Sequence, residues 1–158
     1  MNRFCFFLYA TFCIPLYLHA QETIVPVSGN PQAEKYYQEA GKFLKKAGKT
    51  DTLELPFIDD FSDSYVQPDP DLWSDMRAYI NNTYSLQQVT AGIATLDAYD
   101  PKGAHYPNAS RFPYIADYLT SHPINLDYPL SDSIYISFFY QAQGLGEMPD
   151  KSDSLCLE

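Results

Sequence analysis

The chain has 158 residues, with 20 acidic against 10 basic side chains and a formal net charge of −10. That balance weighs against nucleic acid or anionic lipid as partners, since both demand a positive surface. The length suits one domain with an appendage, and the aromatic residues, led by 14 Tyr and 10 Phe, favour strands and wet binding faces.

Arg3 is the only charged side chain before Glu22, and Phe4 to Leu18 is almost wholly apolar. A basic start, a short apolar core and a small residue before the cut read as a secretory signal peptide over residues 1–20, cleaved between Ala20 and Gln21. The apolar run is too short and too aromatic for a membrane-spanning anchor, and no later segment would span a bilayer. A lipoprotein signal needs a cysteine just after the apolar core, whereas Cys5 and Cys13 come too early. Both leave with the signal, so Cys156 is the one mature cysteine and no internal disulfide is expected. It reads as a small buried hydrophobe in a strand rather than a reactive thiol. Cleavage also removes Arg3 and no acid, which enlarges the acidic excess of the exported chain.

Residues 21–50 form a lead-in. Asn30 has the character of an N-cap and Pro31 of a first helical residue. Ala33, Tyr36, Tyr37, Ala40, Phe43, Leu44 and Ala47 keep the three-four spacing of one helical face. Lys42, Lys45 and Lys46 fall in the last turns, where the dipole favours cations, and Gly48 is the stop. The spacing predicts a helix over residues 31–47.

From Thr52 onward, over residues 51–158, the texture is β. Strands are expected over Leu53–Phe61 (interrupted by Pro56), Arg77–Leu86, Val89–Asp97 and Tyr118–Leu126 (broken at Pro123), with Gly92 marking a bulge or close approach. Val66–Ser74 and Asp100–Pro113 read as loops, the first bringing the single Trp73 back to the body. The clearest signal is Ser133 to Gln143. Its even positions are Ile134, Ile136, Phe138, Tyr140 and Ala142, and its odd ones Ser133, Tyr135, Ser137, Phe139, Gln141 and Gln143. Period-two alternation of this length fits a strand half-buried against a second layer, and Tyr135 and Phe139 on the odd face place it in the middle of a sheet. Gly144–Asp153 turns the chain, and Ser154–Glu158 begins to alternate again. About six strands are legible where a jelly roll needs about eight. The expected fold is therefore an all-β, jelly-roll sandwich, incomplete and continuing beyond Glu158, preceded by one α-helix.

Several segments occur in a telling order: Leu55-Pro56-Phe57-Ile58-Asp59-Asp60-Phe61-Ser62, Trp73 one loop later, Ala91-Gly92-Ile93-Ala94-Thr95-Leu96-Asp97, Asp117-Tyr118-Leu119-Thr120-Ser121-His122-Pro123-Ile124, and Ile136-Ser137-Phe138-Phe139-Tyr140. From Leu55 to Glu158 the series resembles the amino-terminal module of Bacteroidetes surface proteins exported by the type IX system and linked to gliding or adhesion. More distantly it is similar to MAM-type and cleaved-adhesin jelly rolls. The resemblance implies a concanavalin-like sandwich at the cell surface or in the medium, with the type IX machinery as export partner of the full-length protein. Asp51-Thr52-Leu53, Asp132-Ser133-Ile134 and Asp153-Ser154-Leu155 are similar to the triplets that this phylum O-glycosylates, with Thr52 the leading position.

Calcium takes several hard oxygens at converging positions. Jelly rolls related to this family carry a structural calcium near the first strand. The resemblance puts the corresponding acid at Asp60, with Asp59 beside it, while Asp97 and Asp100 end a neighbouring strand and would converge there. The plainer alternative is a solvated set of acids, since the chain has no Asp-x-Asp-x-Asp-Gly loop. No other cofactor is expected. His105 and His122 stand apart without zinc-ligand spacing, and no serine sits in a Gly-x-Ser-x-Gly elbow. For carbohydrate, flat aromatics stack on apolar sugar faces, and Trp73, Tyr79, Tyr135 and Phe139 are the candidates, with core packing as their plainer role. The expected function is thus a non-enzymatic module of a secreted, surface-associated bacterial protein, serving adhesion, gliding or surface assembly through a glycan or a surface protein. The alternative is a carbohydrate-binding module attached to a downstream hydrolase.

Overall fold

The computed structural model describes residues 29–40, 52–109, 112–146 and 148–158. The proposed signal peptide, the second half of the expected helix and Asp51 lie outside them.

The helix α1 spans Pro31–Ala40. Asn30 caps it: its side-chain Oδ1 accepts the Gln32 and Ala33 N–H groups at 3.1 and 3.2 Å, and its carbonyl accepts Glu34 N–H. These bonds satisfy donors that a helix start leaves without partners. One face of α1 is buried through Ala33, 5% exposed, which packs with Val66 and Tyr79, while Tyr36 adds an edge contact to Tyr65. Burial of this face holds α1, because the Lys35–Glu39 pair on the opposite side is exposed and contributes little.

Among the described residues, two strands form one antiparallel sheet. Strand β1 is Tyr79–Asn81 and β2 is Ile93–Thr95, paired Tyr79 with Thr95, Ile80 with Ala94 and Asn81 with Ile93. Both fall inside the longer strands the sequence predicts, and both are cut short by their own flanking residues. The Asn81 Oδ1 accepts Thr83 and Tyr84 N–H groups, which turns the chain directly after β1, while its Nδ2 donates to the Thr95 hydroxyl. Asp97 Oδ1 accepts Tyr99 N–H after β2. Side-chain amides and carboxylates here compete with the ladder for backbone donors and win. Ile80, 1% exposed, is the centre of the packed part; Val66 reaches it through a reciprocal pair of backbone bonds of 3.0 and 3.1 Å.

The expected first strand alternates in burial without forming a ladder. Leu53, Leu55, Phe57, Asp59 and Phe61 are half-buried, and the residues between them are exposed. It is stitched at both ends: Leu53 bridges Ile124 in parallel, and the Asp60 carbonyl accepts Gly92 N–H at 2.8 Å. A methyl on Gly92 would lie 2.5 Å from the Phe61 carbonyl oxygen, so the close approach expected at this glycine is real. Within the expected Tyr118–Leu126 strand, Ser121 bridges Trp73 antiparallel, supported by His122 N–H to the Leu72 carbonyl and Ser74 N–H to the Thr120 carbonyl. Trp73 stands between Phe57, edge-on at 5.4 Å, and Phe61, stacked at 6.0 Å, and its indole N–H donates to Asp59 Oδ2 at 2.6 Å.

Two further expectations differ from what the fold shows. Ser133–Gln143, read as a central strand, pairs with no other described segment, and every side chain from Ser131 to Gln143 is exposed. The alternation gives it two faces, but Tyr84–Leu86 meets only its far end, through the Gln141 side chain. Cys156, expected in a strand and buried, is exposed for the same reason: Ser154–Glu158 pairs with nothing among the described residues.

Removal of the carboxylate in Asp59→Ala leaves the Trp73 indole N–H and the Phe61 N–H, which donates to Asp59 Oδ1 at 2.7 Å, without acceptors. The expected loss is about 1.5–3 kcal/mol, the range for bonds to a charged group. Trp73 is the single tryptophan, so its fluorescence reports the change directly. A lowered unfolding midpoint with red-shifted emission is expected; an unchanged midpoint contradicts this role for Asp59.

Candidate functional site

The densest polar cluster lies between β1, the turn after β2 and residues 112–120. Arg77 enters just before β1, its N–H bound to Asp75 Oδ1, and its guanidinium donates to the Ala116 carbonyl at 3.2 Å. The guanidinium carbon is 5.0 Å from the centre of the Tyr118 ring and 5.7 Å from that of Tyr106, within cation–π range of both. Asp117 accepts the Tyr106 hydroxyl on Oδ1 at 2.7 Å and the Ala98 N–H on Oδ2 at 2.6 Å. Ala98 takes a left-handed conformation (φ 59°) to present that N–H, a strain of about 1–2 kcal/mol for a residue with a Cβ.

Asp97 lies beside this cluster and carries the link to α1. Its Oδ2 accepts the Asn30 Nδ2 at 3.0 Å, so one asparagine both caps the helix and binds the end of β2. The Asn30 N–H donates to the Gly103 carbonyl at 2.8 Å, in a loop closed by Asp100, whose Oδ1 accepts Lys102 and Ala104 N–H groups at 2.9 Å. Gly103 has φ 79°, and a Cβ there would collide with the Asn30 carbonyl oxygen, which makes glycine necessary on two counts. A small cavity lined by Asn30, Ala33, Val66, Arg77, Tyr79 and Asp97 has room for about one water molecule.

Burial pushes the carboxyls of both Asp97 and Asp117 above the usual range. For Asp97 the Asn30 and Tyr99 bonds oppose the shift and the Asp117 charge adds to it; for Asp117 the Tyr106 bond, Ala98 N–H and Arg77 oppose it. The Tyr106 phenol is pushed well up, first by burial and then by its bond to Asp117, so it stays protonated as a donor. Both Asp117 oxygens are thereby engaged by donors from other segments. The arrangement binds Ala98, Tyr106 and Arg77 together, and it presents no free nucleophile.

The four acids expected to hold calcium serve separate hydrogen bonds, although Asp97 and Asp100 line the same small cavity. Asp59 holds Trp73; exposed Asp60 accepts the Ser62 N–H, and its bonds from Ser62 lower its pKa; Asp97 binds Asn30; and Asp100 closes its own loop. Among the described residues, no three His, Cys, Asp or Glu side chains converge as metal ligands. Of the aromatics considered for sugar stacking, Trp73 is occupied by Phe57 and Phe61, and Tyr79 is 6% exposed with its hydroxyl bound to Gln32. Tyr135 and Phe139 are 88% and 80% exposed. Thr52 is exposed, as are Ser133 and Ser154 of the other two triplets. His122 contacts the Pro70 carbonyl at 3.0 Å through Nε2, a packing role.

No family model matches the chain. No curated protein and no solved structure matches it either.

Sequence reasoning found Asn30 as a cap but missed Arg77, Tyr106 and Asp117 as a unit. These residues are far apart in sequence and follow no motif. The only available signal is the scarcity of arginine, since Arg3, Arg77 and Arg111 are all the chain has.

The raised carboxyls fix a pH dependence. The folded chain holds these two protons to higher pH than the unfolded chain does. Stability therefore increases as pH falls from the raised values toward the ordinary carboxylate range, and is lost as pH rises through the folded values. The unfolding midpoint is expected to climb as pH falls through the raised values toward the ordinary carboxylate range, with a shallower climb in Asp97→Asn. Equal slopes in the two proteins contradict the assignment to Asp97.

Proposed function

We propose that this chain is a non-enzymatic, jelly-roll-like module of an exported, surface-associated bacterial protein, acting by contact in adhesion, gliding or surface assembly. The observation that carries this reading is the strip Ile134–Tyr140. Ile134, Tyr135, Ile136, Phe138, Phe139 and Tyr140 are all exposed in one continuous run on a strongly acidic chain. Contiguous apolar surface of this kind marks interaction sites. The apolar start at Phe4–Leu18 supports export, and the antiparallel pairing of β1 with β2 supports a β architecture. Among the described residues, no helix is long and apolar enough to cross a membrane. Export by the type IX machinery follows from the family resemblance.

A carbohydrate ligand is the second reading, favoured by one observation. Tyr135 and Phe139 alternate onto one face and offer open rings, the geometry that sugar stacking requires. On this reading the chain would be a binding module attached to a downstream hydrolase.

Cell fractionation with protease shaving of a tagged full-length protein tests the first reading. The protein is expected on the outer surface or in the medium, and retention in the cytosol overturns the proposal. A glycan array run with Tyr135→Ala and Phe139→Ala separates the two readings. Loss of a specific glycan signal in both variants supports the second; absence of binding to any polysaccharide removes it.

A further inference from the structure

We draw no further inference here: the strongest candidate, the small cavity between α1 and β1 lined by Asn30, Arg77, Tyr79, Asp97 and Asp100, belongs to the site already described, and the carboxylates beside it bond to donors of the chain itself.

Discussion

Asp97 and Asp117 lie half-buried in a chain already rich in acids, and burial of each is tolerated because other segments bring donors to it. Asn30 and Tyr99 serve Asp97, while Tyr106, Ala98 and the neighbouring Arg77 serve Asp117. Through these bonds α1, β1, the end of β2 and residues 112–120 converge on one place. A buried carboxylate without such partners would be expensive, whereas hydrogen-bonded it becomes a specific connector. With only one short sheet among the described residues, connection by side chains substitutes for connection by ladders.

The same chemistry accounts for much of the acid content. Asp59, Asp60, Asp69, Asp75, Asp97 and Asp100 each accept the N–H of the residue two places on, at distances from 2.7 to 3.2 Å. These are turns made by the side chain in imitation of the backbone. They shorten strands, as Asn81 and Asp97 do at the ends of β1 and β2, and they set the path of the loops between. The acidic excess is thus partly a folding device and not only a solvated exterior.

Legibility from sequence followed the range of the interaction. The Asn30 cap and Pro31 at the helix start are local and were readable, and Gly92 at a close approach was readable from its place in a strand pattern. Leu53–Phe61 was readable as one segment, but its alternation of half-buried and exposed side chains emerges only in the structure. Strand lengths were not readable, because the competing Asx turns are decided by one side chain against a ladder bond. The Arg77, Tyr106 and Asp117 contacts were hidden, since they join residues whose spacing carries no period. Ser133–Gln143 shows the opposite limit: its pattern states that two faces want partners, and a pattern cannot say which segment supplies them.

The half-buried carboxylates hold one part of the chain together, and Ile134–Tyr140 lies exposed outside it. Hydrogen–deuterium exchange read residue by residue tests that division most directly. Slow exchange is predicted at Ile80, Gly92 and Ala98, and fast exchange at Ile134–Tyr140. Protection of Ile134–Tyr140, or rapid exchange at Ile80 and Ala98, would contradict it.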